Sequence, residues 1–185
     1  MGFHTFDSDR ADALEDPTRF AYCSVDELLA LFGADTDQTV AEIGSGTGFY
    51  TDELAPYVGH VYAVDVQDAM HELYREKGVP ENVELVTAEA SDLPLDDGTV
   101  DAVVSTFTYH EFASPGALAE LVRVLAPGGR VGVVDWSAEG LGETGPPTSE
   151  RFAVSDAVAA VEDAGFSVDR AEERRETFVL AATRE

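Results

Sequence analysis

Three glycines spaced two apart, Gly44, Gly46 and Gly48, separate the apolar run Val40-Ala41-Glu42-Ile43 from a helix-prone segment that begins at Phe49. Lacking Cβ atoms, such a turn enters the left-handed region and brings its amides, including that of Ser45, close to a bound small molecule. A second apolar run, from His60 to Val64, ends on Asp65. That is about 20 residues past the first glycine, where nucleotide-binding α/β folds place a carboxylate on the ribose hydroxyls. The spacing is G-x-G-x-G, and Phe49 stands where a dinucleotide fingerprint needs its third glycine. An adenosyl ligand without a pyrophosphate fits better. A nicotinamide-dependent reductase is disfavoured further by the absence of a Tyr-x-x-x-Lys pair.

A second reactive cluster lies in Ser105-Thr106-Phe107-Thr108-Tyr109-His110-Glu111-Phe112, where polar and aromatic side chains follow an apolar run. His110 is a candidate general base, since imidazole titrates in the working range, and Glu111 is placed to orient it. The alternative is that His110 only caps or packs the following helix. Tyr109 is placed to contact a cationic ligand or the substrate.

These residues need elements to hold them. Helical spacing of Val25, Leu28, Leu29 and Phe32, with Ser24 before and Gly33 after, predicts a helix over Val25–Phe32. Strands are expected at Thr39–Ile43, His60–Asp65 and 83–88, and then at 101–106, 130–136, 166–171 and 177–182. Helices are expected at 49–58, 69–77 (ended by Gly78) and 115–125 (ended by Pro127-Gly128-Gly129), with another capped by Ser155 and running to 164. Helical crossovers of about ten residues impose parallel pairing. The five residues from Glu172 to Glu176 are too few for a crossover, so one strand near the edge runs antiparallel. The expected fold is α/β, a Rossmann-like three-layer sandwich on a mostly parallel seven-stranded sheet. Residues 1–36 form a helical lead-in, and 37–185 the core of one domain. Ligands in such sheets sit beyond the carboxyl ends of the strands.

With Glu42 before the glycines and Asp65 after them, the chain resembles the class I S-adenosylmethionine-dependent methyltransferases. Ala88-Glu89-Ala90-Ser91-Asp92-Leu93-Pro94-Leu95 is similar to that family's acidic-Ala-x-x-Leu-Pro-Phe segment, with Leu95 in place of Phe and Glu89 where Asp is common. The resemblance implies that Glu89 and the amide of Ala90 read the adenine edge. Val66 and Met70 are placed to pack on the adenine face, and Met70 serves equally well as a core residue. Thr106 joins the cofactor set, and residues 105–112 resemble the motif that lines the transfer site. The Asn/Asp-Pro-Pro-aromatic signature is absent there, because Pro146 and Pro147 follow the next strand. Asp135-Trp136 with Gly145-Pro146-Pro147, and the N-terminal Phe-Asp, look like the short methyltransferases near the ubiquinone/menaquinone C-methyltransferase type. The implied reaction moves the methyl of S-adenosylmethionine by in-line displacement, leaving S-adenosylhomocysteine. A cofactor-binding regulatory protein without turnover is the alternative.

Composition narrows the acceptor. Thirty-seven acidic residues face 11 basic ones, for a net charge of −26, which gives no electropositive stripe for nucleic acid. A small-molecule acceptor is expected, and the oligomeric state stays open. The carboxylates are spread along the chain, which points to a salt-adapted protein over one with a basic partner, since molar salt screens self-repulsion. Folding that improves with added potassium chloride would support this. The lone Cys23 excludes an internal disulfide and a multi-cysteine zinc site, and argues against arsenite as acceptor, whose chemistry calls for several thiolates; a small buried residue is its expected role. No metal is required. No run approaches a membrane span and the N-terminus lacks an export signal, so a cytoplasmic protein is expected.

Overall fold

In a computed structural model, which describes residues 6–185, the odd and even positions of each central strand face opposite layers, as the period of a strand dictates. Along β1 (Thr39–Ile43), Ala41 and Ile43 join one apolar cluster and Val40 the other. The first cluster takes in helices α4 (Tyr109–Phe112), α5 (Pro115–Val124) and α6 (Val154–Asp163). The second takes in α1 (Val25–Phe32) and α2 (Phe49–Leu54). Helix α3 (Asp68–Lys77) connects the strands β2 (His60–Asp65) and β3 (Val83–Thr87). Strands β4 (Val100–Thr106), β5 (Leu125–Trp136), β6 (Phe166–Glu173) and β7 (Thr177–Arg184) complete one sheet of order β3-β2-β1-β4-β5-β7-β6. All neighbours pair in parallel until β7, which runs antiparallel to both β5 and β6. The mostly parallel seven-stranded sheet with its single reversed strand is the expected one. Among the described residues no helix is long and apolar enough to cross a membrane.

Three local expectations need correction. Strand β5 starts at Leu125 and passes through Pro127-Gly128-Gly129, which were expected to end the preceding helix. The ladder with β4 shifts register between Val100 and Ala102, and that irregularity accommodates the proline and glycines inside the strand. Helix α6 begins at Val154 behind Ala153, which provides no side-chain cap, so Ser155 lies inside the helix. The chain is already fixed there by the bridge between Ser137 and Phe152. The helix expected over 49–58 stops at Leu54 and tightens into a 3₁₀ turn, Ala55–Tyr57, around Pro56.

Ahead of α1 the chain forms two 3₁₀ segments, Ser8–Glu15 and Pro17–Ala21, the second capped by Asp16 accepting from the Thr18 amide. They lie across the carboxyl edge of the sheet. Gln67 donates to the Phe6 carbonyl at 3.0 Å, and Thr47 and Lys77 both donate to Glu15.

Candidate functional site

The carboxyl ends of the parallel strands open into a cavity of about 570 Å³, within the roughly 300–1,000 Å³ usual for small-molecule sites. One wall is built from the first three strand ends: Gly44, Ser45, Gly46 and Thr47 after β1, Asp65, Val66 and Met70 after β2, and Glu89 and Ala90 after β3. A second wall holds Phe107, Thr108, His110 and Glu111 after β4, with Trp136 at the end of β5. Leu14 and Arg19 cover it from the N-terminal 3₁₀ segments, and Gly145 and Pro146 from the loop after β5.

All three turn glycines have positive φ, at +79°, +54° and +81°, a region costly for other residues. Their missing side chains make room chiefly for the protein itself. A Cβ on Gly44 would lie 2.3 Å from the Thr108 methyl carbon, and one on Gly48 would lie 2.1 Å from the Tyr74 ring. Gly44 and Gly46 face the cavity; Gly48 does not, and it acts by letting α2 and α3 pack. Asp65 Oδ2 accepts the Gly46 amide at 2.8 Å and Oδ1 accepts the Gln67 amide at 2.9 Å. Each oxygen thus keeps a lone pair for a hydroxyl on a ligand. Burial raises the Asp65 pKa, against the lowering effect of those two amides and of His71. Val66 is exposed at the rim, Met70 is buried yet lines the cavity, and Glu89 and Ala90 face it from the third crossover.

Four residues placed in the site by sequence turn away from it. Glu42 is buried behind the turn, its Oε2 accepting from the Thr51 hydroxyl at 2.5 Å, and burial pushes its pKa up to about 7. Gly48 is displaced for the packing reason above. Thr106 is buried within β4, and Thr108, two residues on, takes the place at the wall. Tyr109 is the clearest correction. Its ring packs edge-on against Phe112, Phe152 and Phe178, and its buried hydroxyl has no partner among the described residues. One helical step of about 100° separates it from His110, which sends the neighbours to different faces of α4.

His110 is held by Asp135, which ends the apolar part of β5 and is fully buried. Asp135 Oδ2 accepts the His110 amide at 2.6 Å, Oδ1 accepts the Trp136 amide at 2.8 Å, and Nδ1 of His110 lies 3.0 Å from both oxygens. A carboxylate accepts only, so Nδ1 carries the proton and Nε2 is left as the basic atom. The nearest carboxylate to Nε2 is Glu111, at 3.9 Å. Burial alone would lower the imidazole pKa; the hydrogen bond and charge of Asp135, with Glu111, more than offset it, and the net shift is upward. Burial raises Glu111 to about 7, although His110 works against that shift. The orienting group is therefore Asp135, not Glu111. Its signature resembles that of Asp65, a carboxylate closing an apolar strand at the sheet's carboxyl edge, and that signal was available in the sequence. Arg19 carried no such signal.

The cover after β5 is fastened from below. Arg151 is buried and donates to the carbonyls of Pro146, Ser137 and Thr144. It pairs at 3.6 Å with buried Glu176, which accepts the amides of Gly142 and Glu143. Cys23 is buried, and burial pushes its thiol up to about 12, so it is no ready nucleophile. Among the described residues no group of three or more His, Cys, Asp or Glu side chains is placed to hold a metal ion.

Residues 41–133 match the family model described as a methyltransferase domain. The chain is 34% identical to a S-adenosylmethionine-dependent methyltransferase of Aquifex aeolicus whose crystal structure superposes with a TM-score of 0.90, covering 98% of this chain and all of that one. It is 37% identical over 102 residues to a demethylmenaquinone methyltransferase of Clavibacter sepedonicus, covering 54% of this chain and 42% of that protein. It is also 34% identical over 131 residues to an uncharacterized methyltransferase-like protein of Schizosaccharomyces pombe, covering 70% of this chain and 50% of that one. The chain spans about half the length of these two curated relatives or less.

Proposed function

The chain belongs to the family of S-adenosylmethionine-dependent methyltransferases, and from that premise we propose that it moves the cofactor's methyl group to a small-molecule acceptor by in-line displacement. The observation that carries this reading is that one cavity is lined both by the glycine turn with Asp65 and by His110, which Asp135 holds from behind. When bound, S-adenosylmethionine supplies a methyl group already activated by its sulfonium.

The residues present suit such a ligand. Gly44, Ser45 and Gly46 would offer main chain to its amino-acid and ribose side, and Asp65 its free lone pairs to the ribose hydroxyls. Val66, Met70, Glu89 and Ala90 would enclose the adenine. His110 Nε2 would take the proton of an acceptor that must lose one as it attacks, while Asp135 stabilises the imidazolium that results. Most of the acceleration in such a transfer comes from holding the acceptor in line with water excluded. The two covers of the cavity serve that end.

The test is calorimetry with S-adenosylmethionine, S-adenosylhomocysteine and NAD, followed by a screen for S-adenosylhomocysteine release with quinol precursors, phenols and amines. Binding of the first two ligands but not NAD, with turnover of at least one acceptor, is the expected result. No binding of either adenosyl ligand would sink the proposal.

A further inference from the structure

We propose that Arg19 is a carboxylate-binding residue of the cavity, poised to take a ligand's carboxylate on its guanidinium edge. This deepens the reading of the cavity as a methyl-transfer site and rests on it. The chain carries 37 carboxylate side chains and 11 bases, and Arg123, Arg151, Arg170 and Arg174 each lie within ion-pair distance of one. Arg19, like Arg10, Arg130 and Arg184, has no carboxylate at that distance among the described residues, and of these four it is the one that lines the cavity over three aromatic rings. One of its five N–H groups donates to the Leu14 carbonyl at 2.5 Å.

The two acidic residues whose charge reaches it are engaged elsewhere: Glu42 holds the Thr51 hydroxyl, and Glu15 holds Thr47 and Lys77. Burial works against the charged form of this guanidinium, and a protein this acidic had partners to spare. A ligand that brings its own anion resolves the mismatch.

The group is also held still. Its central carbon lies 4.9 Å from the ring centre of Phe49, 5.1 Å from that of Tyr50 and 5.5 Å from that of Phe107. Phe107 is the one non-glycine residue with positive φ among those described, at +59°, and that uncommon backbone state sets its ring beneath Arg19. Phe107 in turn packs on Trp136 at 5.0 Å. A planar guanidinium fixed by three rings, on a lining it shares with Gly44–Thr47, suits the two parallel hydrogen bonds of a carboxylate. Arg19 lies outside the stretch that matches the family model. The carboxylate has two possible sources, the amino-acid end of the cofactor or the acceptor.

Calorimetry on wild type, Arg19→Gln and Arg19→Lys separates them. The probes are S-adenosylhomocysteine and 5′-methylthioadenosine, which keeps the adenosine and thioether but lacks the amino-acid end. If the cofactor supplies the anion, Arg19→Gln weakens S-adenosylhomocysteine about tenfold or more and shifts methylthioadenosine by less than about twofold. Arg19→Lys falls between, having charge without the fork. If the acceptor supplies it, both adenosyl ligands bind Arg19→Gln as they bind wild type. The variant loaded with S-adenosylhomocysteine then loses about tenfold in affinity for 4-hydroxybenzoate, and nothing for phenol. Unchanged affinity for both S-adenosylhomocysteine and 4-hydroxybenzoate overturns the proposal. So does an equal loss of both adenosyl ligands in both variants, which would mean Arg19 only packs the wall. A wild-type protein that binds neither adenosyl ligand overturns the reading of the cavity itself, a separable result.

Discussion

The two walls of the cavity are built on different principles. The wall after β1 and β2 is mainly main chain: a turn of left-handed glycines, with Asp65 tied at both oxygens to backbone amides. The wall after β4 and β5 is mainly side chain: an imidazole set by one buried carboxylate, a ring on a strained backbone, and a cover held by one arginine. The family match spans residues 41–133 and so takes in the whole first wall, but it stops two residues short of Asp135. A wall of backbone tolerates few side-chain changes and keeps one ligand. A wall of side chains can be rebuilt around different partners while the sheet stays the same.

Each wall can be broken alone, and the largest effect should come from the second. His110→Ala is expected to lower turnover by about 10²–10⁴-fold while leaving affinity for S-adenosylhomocysteine unchanged. Asp135→Asn should behave similarly, because an amide facing Nδ1 favours the tautomer that puts the proton on Nε2. Steady-state kinetics beside calorimetry would show the split, and lost cofactor affinity in either variant would mean the walls are not independent. Next in size, Gly48→Ala should cost about 2–4 kcal/mol of folding stability through backbone strain and the clash with Tyr74. Urea denaturation measures this, and a loss below about 1 kcal/mol would mean α2 and α3 can separate cheaply.

Asp65→Ala should weaken S-adenosylhomocysteine by about 1.5–3 kcal/mol, the value of a hydrogen bond to a charged group; unchanged affinity would place the ribose elsewhere. The smallest effect concerns pH. A base works deprotonated, and the His110 pKa is raised, so kcat/KM should fall as pH drops through an inflection above about 6.5. Glu111 contributes to that upward shift, so Glu111→Gln should move the inflection down by about one unit or less. An inflection that stays in place would remove Glu111 from the electrostatics of the base.

The same division decided what could be read from sequence. Alternating strands and helices, the glycine turn and Asp65 are local patterns, and the mostly parallel sheet with one reversed strand follows from them with the short connection before β7. Glycine spacing does not say what occupies the vacated space, so the fit of Thr108 and Tyr74 against Gly44 and Gly48 was invisible. Tyr109 and His110 are adjacent in sequence, and only the packing of one helical turn decides which enters the cavity. Arg19 sits in a 3₁₀ segment with no apolar period, over rings that come from positions 49, 50 and 107. Asp135 needed the location of His110, 25 residues away, before its role could be assigned.

The reversal of β7 has a consequence for how this architecture tolerates change. Because the last two strands form a hairpin, the turn at Arg174-Arg175-Glu176 comes out at the same rim as the cavity, with Thr177 paired to Trp136. A parallel return would have hidden that turn at the far edge. Here the final connection is a second foundation for the roof, and lengthening it by a residue or two would reshape the entrance while leaving all seven strands and the glycine turn as they are.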